Sequence, residues 1–213
     1  MDKNKYEIIR LKMESTANAL RANNFYVECA ENREEALEIV EGLLDEGMTI
    51  AVGGSVTLSE VGILDLIRDE KYEFFDRYAE GITPAEMAAV YRKAFTCDTF
   101  ICSSNAVTEK GELVNIDGNG NRVSAMIFGP ESVIVIAGYN KIVEDEAAAL
   151  ERIKNIAAPA NCVRLGRETP CAESGKCRSC RADGRICSSK VTLGWQTKKD
   201  RIKVILVGEE LGY

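Results

Sequence analysis

Apolar side chains at Tyr6, Ile9, Met13, Ala17 and Leu20 recur at steps of three and four, which places them on one face of an α-helix. Asn23 and Asn24 supply its stop. The apolar run 25–29 reads as a short strand. A second helical stripe at Ala36, Val40, Leu43 and Leu44 runs to Gly47, a residue suited to ending a helix. Residues 48–52 are apolar enough without interruption for a strand covered on both faces. Further strands are predicted at 72–76, 100–103, 112–116, 133–137 and 203–207, with another helix at about 144–156. Two helix starts carry capping-box spacing, Thr57 to Glu60 and Thr83 to Glu86, in which hydroxyl and carboxylate each satisfy a free backbone N–H. Pro84 adds a preset first turn. Strands alternating with helices of this length predict an α/β fold, a mostly parallel sheet with helices on both faces, followed by a small Cys-rich C-terminal segment.

A chain of 213 residues fits one domain over 1–213 and can bury about 70% or more of its unfolded surface. Its 46% apolar and 29% charged residues are those of a globular protein, with no disordered tract and no internal repeat. No apolar run is long enough to cross a bilayer, and the start leads into an amphipathic helix, unlike a signal peptide. A cytoplasmic protein is therefore expected. In that compartment thiols stay reduced, so eight cysteines read as ligands, catalytic groups or buried fillers before they read as disulfides.

The net charge of −7 is unevenly spread. Residues 161–213 carry 11 Lys/Arg against 6 Asp/Glu, which leaves 16 against 28 in residues 1–160. So acidic a body repels a phosphate backbone, and nucleic acid is not an expected partner. The sequence has no histidine, which removes the commonest general base and nitrogen metal ligand. Acid–base chemistry falls to Asp, Glu, Lys, Tyr or Cys, and a soft-metal site to thiolates.

Three segments could carry chemistry. Gly53-Gly54-Ser55-Val56-Thr57 leaves a strand and enters a helix, where glycines expose backbone N–H groups and the hydroxyls of Ser55 and Thr57 can donate to a phosphate or carboxylate. The competing reading is a plain tight turn with Thr57 as cap. The stretch 103–122 makes a hairpin-like turn at Glu109-Lys110-Gly111 and closes in a Gly/Asn-rich loop. Its Asn105, Thr108, Asp117, Asn121 and Arg122 are candidate ligand contacts, with Arg122 able to fork onto a carboxylate or phosphate. Alternatively, the amides and glycines only shape turns and Arg122 pairs with Asp117. Lys141, in Gly138-Tyr139-Asn140-Lys141, ends the strand 133–137 on the same rim, as an anion contact or as an ordinary solvated lysine.

Cys171, Cys177, Cys180 and Cys187 bring four thiols into 17 residues, within a Cys-rich loop at 168–190. A C-x2-C pair with two more thiols nearby suits zinc or an iron–sulfur cluster, with a [4Fe–4S] cluster preferred for ligands so close in sequence. Lys176, Arg178, Arg181 and Arg185 would offset the thiolate charge. Cys29 and Cys102 sit in apolar strand contexts as buried fillers, and Cys97 is a nucleophile candidate that lacks a histidine to activate it.

Gly-Gly-Ser-Val-Thr-Leu, Ser-Asn-Ala-Val-Thr, Asn-Ile-Asp-Gly-Asn-Gly-Asn-Arg, Phe128-Gly129-Pro130 and Gly-Tyr-Asn-Lys together resemble the lactate-utilisation (LUD) domain family, in a subgroup of short bacterial proteins with a C-terminal four-Cys block. The resemblance spans nearly the whole chain. It implies a fold like the glucosamine-phosphate isomerase, ribose-phosphate isomerase and coenzyme A transferase superfamily, in which a Gly-Ser/Thr loop after a strand often holds phosphate or coenzyme A. The family name points to lactate catabolism and to lactate-utilisation partner proteins. The sequence lacks the C-x2-C-x2-C-x3-C-P run of the larger iron–sulfur subunits of such systems.

The expected function is the handling of a small anionic metabolite, a hydroxy acid, sugar phosphate or coenzyme A thioester, by an enzyme or a binding protein, with a homo-oligomer or lactate-utilisation proteins as its expected protein partners. Ser55 and Thr57 would bind the anion, Asn105 and Arg122 orient it, and Asp117 or a glutamate move protons. The alternative is a non-catalytic accessory protein that senses redox state or docks a partner, its metal site structural.

Overall fold

The structure, a computed structural model, describes residues 2–213. Its larger sheet holds β1 (Tyr26–Ala30), β2 (Thr49–Val52), β3 (Glu73–Phe74), β4 (Thr99–Ser103), β7 (Ser132–Gly138) and β10 (Ile202–Val207) in the order β1-β10-β7-β4-β2-β3. Every neighbouring pair is parallel. The smaller sheet, in the order β8-β5-β6-β9, joins β5 (Ala106–Thr108), β6 (Leu113–Asp117), β8 (Ile142–Val143) and β9 (Ser189–Leu193).

The central strands are apolar at every step because helices cover both of their faces. Alternation then sorts the side chains. Phe100, Cys102, Val133, Val135, Val204 and Leu206 face α1 (Lys3–Ala22), whose Ile9, Met13, Ala17 and Leu20 stripe is buried as its period requires, and α6 (Asn121–Ile127). Ile101, Ile134, Ile136, Ile205 and Val207 face α2 (Arg33–Gly42), α3 (Val56–Val61) and α4 (Ile63–Ile67). Full burial of a side chain such as Leu20 or Phe100 contributes about 1.5–3 kcal/mol. A third cluster, Ala106, Val114, Ala149 and Ile153, packs α7 (Glu146–Arg152) on the small sheet.

Several boundaries differ from the sequence expectation. The capping box at α5 (Pro84–Lys93) is present as predicted, with Thr83 and Glu86 exchanging bonds. The one expected at Thr57 is not. Ser55 caps α3 by accepting from Leu58 N, two residues early, so Thr57 lies in the first turn with its hydroxyl turned inward. The helix expected to reach Gly47 stops at Gly42, and Gly47 serves the turn into β2. The strand predicted at 72–76 shortens to two residues, paired with β2 at the edge of the sheet. The helix predicted at 144–156 continues instead through a π-helical turn, Ile153–Ala157, into α8 (Ala158–Arg164). Pro159 accounts for this: it has no N–H, and its ring pushes back the carbonyl four residues earlier, which widens the turn. The second sheet was not expected as a separate unit, since β5 and β8 are too short to show periodicity and β9 is polar. Cys29 is half-buried, while Cys102 is fully enclosed.

After β10 the chain folds over the end of β7. A Cβ on Gly138 would stand 2.5 Å from the Glu209 carbonyl oxygen and 2.7 Å from Leu211 N. Gly138→Ala must therefore displace residues 208–213 and is expected to cost about 1–3 kcal/mol, read as a lower urea midpoint at unchanged slope. An unchanged midpoint would show that this tail contributes nothing to the fold.

Candidate active-site cleft

The connection after β2 runs along one face of the large sheet, through α3 and α4, whereas the connection after β4 reaches β7 through α6 on the other face. Neighbouring strands whose exits diverge leave a crevice at their carboxyl ends, where open α/β sheets take ligands. A cavity of about 500 Å3 occupies that place. Five strand ends deliver to it: Gly54 to Thr57 after β2, Arg77 after β3, Ser103 to Asn105 after β4, Lys141 after β7 and Tyr213 beyond β10. Residues 116–122 of the small sheet and α6 form one wall. Arg164 of α8, Arg167 and the Cys-rich loop at Asp183 to Ile186 form another.

Of the residues expected at a site, Gly54, Ser55, Thr57, Asn105, Asp117, Asn121, Arg122 and Lys141 share this cavity. Gly53 lies just behind it, where a Cβ would meet Cys102 Cβ at 3.0 Å and Arg122 Cδ at 3.1 Å, so its bare backbone admits the arginine stem. Thr108 is held in the hairpin by Glu112 and does not line the cavity.

Both terminal nitrogens of Arg122 are engaged by the protein. Its guanidinium donates to the Ser103 and Ile116 carbonyls, to Asn105 Oδ1 and Asn115 Oδ1, and to Asp117 Oδ1 at 2.7 Å. Asp117 Oδ2 also accepts from Val123 N at the start of α6. With side chains only 12% and 7% exposed, Arg122 and Asp117 form the Arg–Asp pair that was the alternative to a ligand clamp. Asn105, likewise, spends its carbonyl oxygen on Ile116 N and Arg122.

Lys141 is 2% exposed, not solvated. Its Nζ donates to Thr57 Oγ1 at 2.8 Å and Ser103 Oγ at 2.9 Å. Among the described residues it has no carboxylate partner. Burial first, then the charges of Arg152 and Arg122, bring the amine down to about 7; Glu60 and Cys102 oppose them. Asn140 and Tyr139, beside it in the same motif, pin the tail by bonds to Leu211 N, the Gly212 carbonyl and Glu210. Arg152, also buried, donates to the Asn105 and Asn140 carbonyls and has no ion pair either.

Sequence reading missed several cavity residues. Arg77 stacks between Tyr78 and Tyr91, 5.4 and 5.0 Å from the ring centroids, and donates to the Tyr91 hydroxyl. Its Nε and the Tyr213 hydroxyl are buried without a hydrogen-bond partner, a costly condition that a bound ligand or water relieves. Arg77 could have been found as the cation at the carboxyl end of a predicted parallel strand. Arg164 and Arg167 could not, because their placement depends on the direction α8 takes after the π-helical turn. In total six cationic side chains, Arg77, Arg122, Lys141, Arg164, Arg167 and Arg185, line the cavity against two carboxylates, Asp117 and Asp183.

The Cys-rich segment begins with the short helix α9 (Pro170–Ser174) and continues without regular structure to β9. Cys171 Sγ lies 3.7 Å from Cys162 Sγ, a residue outside the block, and 3.4 Å from Thr169 Oγ1. Cys177, Cys180 and Cys187 are half-buried. Arg185 organises the loop by donating to the Cys180 and Cys187 carbonyls. As placed, the four thiols do not converge: among the described residues no three Cys, Asp or Glu side chains are gathered as a metal ion would need. Cys97, the nucleophile candidate, stands before β4 at the end of the sheet opposite the cleft, and burial pushes its thiol up to about 11. Neither its position nor its protonation suits a nucleophile.

The LUD domain family model matches residues 13–207. No curated protein matches the sequence. Among solved structures, the chain is similar to a DUF162 family protein from Deinococcus radiodurans, at 14% identity and a TM-score of 0.44, over 95% of this chain and 98% of that one. It is also similar to eIF2B beta from Chaetomium thermophilum, at 12% identity and a TM-score of 0.37, over 54% of this chain and 44% of that one. Among the described residues no helix is long and apolar enough to cross a membrane.

The lowered Lys141 amine has a thermodynamic consequence. Between about pH 7 and the ordinary lysine value near 10.4, the unfolded chain binds the proton that the folded chain has released, so stability rises with pH across that window and the effect is flat below it. Against Lys141→Met, the wild type should gain melting temperature from about pH 7 to about pH 10. Parallel curves for the two proteins would mean that the buried amine titrates normally.

Proposed function

The chain belongs to the LUD domain family, and on that footing we propose that the cleft binds a small anionic metabolite of carbon or lactate metabolism, such as a hydroxy acid, a sugar phosphate or a coenzyme A thioester. One observation carries this reading: six cations face two carboxylates around one cavity of a chain whose net charge is −7. Like charges gathered around one cavity repel, and a bound anion turns that repulsion into attraction. Arg77, Arg164 and Arg167 are the cations best placed to meet it, since Arg122 is consumed by the protein. In thermal-shift titrations, lactate, inorganic phosphate, a sugar phosphate and acetyl coenzyme A report binding as a concentration-dependent rise in melting temperature. Arg164→Ala and Arg167→Ala should each weaken the effective ligand about tenfold or more, the loss of one charge-assisted hydrogen bond, and raised salt should weaken it further. Absence of stabilisation by all four compounds would remove the proposal.

For the Cys block we propose a thiolate metal site at Cys171, Cys177, Cys180 and Cys187, with a [4Fe–4S] cluster or zinc. The support is the density of thiols and the cations interleaved with them. Their present arrangement does not fit a bound metal, so loading requires the irregular loop to rearrange around Cys171. Protein purified anaerobically should contain stoichiometric iron and sulfide, or zinc, and Cys177→Ser with Cys180→Ser should lose it. Metal-free protein with eight titratable thiols would instead favour a redox accessory role, for which the 3.7 Å approach of Cys162 and Cys171 is the relevant geometry.

A further inference from the structure

We propose that Lys141 is a reactive amine whose nitrogen adds to the carbonyl carbon of a small anionic aldehyde or ketone held in the cleft. The inference deepens, and rests on, the reading of the cleft as an anion site. A lysine kept only for charge sits opposite a carboxylate or reaches water. Lys141 does neither: it is enclosed at the cavity floor, and the two side chains that hold it, Thr57 and Ser103, are hydroxyls. The charged groups felt by the amine are Arg152 of α7, Arg122 of α6 and, in opposition, Glu60 of α3, with the Cys102 thiol of β4 beneath. Two guanidinium groups against one carboxylate favour the neutral form, the nucleophilic one. Ser103 is not itself the nucleophile. Its hydroxyl donates to the Ser104 carbonyl, leaving only its acceptor side to the amine.

The step balances without an external oxidant or reductant. The nitrogen lone pair forms a bond to the carbonyl carbon while the carbon–oxygen π pair moves to oxygen. That oxygen takes up a proton given up by the nitrogen, to give a carbinolamine, while the Thr57 and Ser103 hydroxyls hold the amine in place as acceptors. Loss of water then leaves the imine. Arg77 and Arg164, on the cavity wall, supply the countercharge for the carboxylate or phosphate of the same molecule.

The test is trapping. The full chain is incubated near neutral pH with pyruvate, glyoxylate or dihydroxyacetone phosphate, reduced with borohydride and mapped by peptide mass spectrometry. One reduced adduct per chain is expected on the Lys141 peptide, at least tenfold above any other lysine. Inorganic phosphate should diminish it, and Lys141→Arg, which keeps a long cationic side chain but has no nucleophilic amine, should abolish it; Lys141→Met is the second variant should the larger side chain not fit. Folding of each variant is confirmed by its melting transition. Labelling spread evenly over surface lysines, or unchanged in a folded variant, overturns the inference. If phosphate stabilises the protein yet none of the three compounds is trapped at Lys141, the anion site stands and the reactive amine does not. If no anion binds and no adduct forms, both fall.

Discussion

The guanidinium of Arg122 fixes the shape of the cleft. It reaches the last carbonyl of β4, the amide of Asn105 where β5 begins, the buried amide of Asn115 and carboxylate of Asp117 in β6, while Asp117 caps the incoming backbone of α6. Four segments of chain from two sheets and a helix are thus tied to one planar group. Each of its contacts is a charge-assisted hydrogen bond in a setting mostly closed to water, where removal of either charge leaves the other uncompensated at about 3–5 kcal/mol. Gly53 belongs to the same arrangement, because any side chain there would occupy the space of the arginine stem. An Arg122→Ala variant would therefore report on folding before it reported on any ligand.

Around that anchored frame the charge is distributed against the trend of the molecule. The body of the chain is acidic, and its carboxylates are spread over an exposed surface, while the cations of the cleft stand on converging strand ends and on α8. Exposed charges, Arg164, Arg167 and Arg185 among them, are screened within about 10 Å at ordinary ionic strength, while the enclosed Lys141 and Arg122 are screened much less. On the proposed reading, a diffusing anion would meet weak repulsion over the acidic surface and attraction at the mouth of the cleft. Such an arrangement discriminates by charge before any shape is read.

Much of the scaffold could be read from periodicity. The α1 stripe, the buried runs that became β4, β7 and β10, and the capping box at Thr83 all obey local rules that tertiary context does not override. The failures are equally physical. Thr57 and Ser55 both suit a cap, and only packing decides that Ser55 takes it, which turns Thr57 toward Lys141. The small sheet is built from strands of two to five residues, too short for a period to emerge. Loop spacing located the rim at Gly54, Asn105, Arg122 and Lys141, since the carboxyl ends of parallel strands must share one side of a sheet. It could not locate Arg164 or Arg167. Those arrive by way of a helix whose course is bent by Pro159, and nothing local in their sequence marks them as facing a cavity.

Lys141 and Arg152 are where local consistency breaks. A folding chain gains nothing by enclosing an amine on two hydroxyls, or a guanidinium on carbonyls alone, when the desolvation of each cation goes uncompensated by an opposite charge. Methionine or leucine at either position would fill similar volume at lower free energy. Elsewhere the core is built of closely packed β-branched and aromatic side chains, and the one further buried polar atom left without a partner among the described residues is Asn115 Nδ2, beside Arg122. Stability is thus conceded at one end of one sheet, beside a cavity, and within reach of the two unpartnered polar atoms Arg77 Nε and Tyr213 Oη that also line it. Departures from self-consistency concentrated in this way mark a place shaped for something the chain does not itself contain. The positive sign of the charge left over there is the ground on which the cleft is proposed to take an anion.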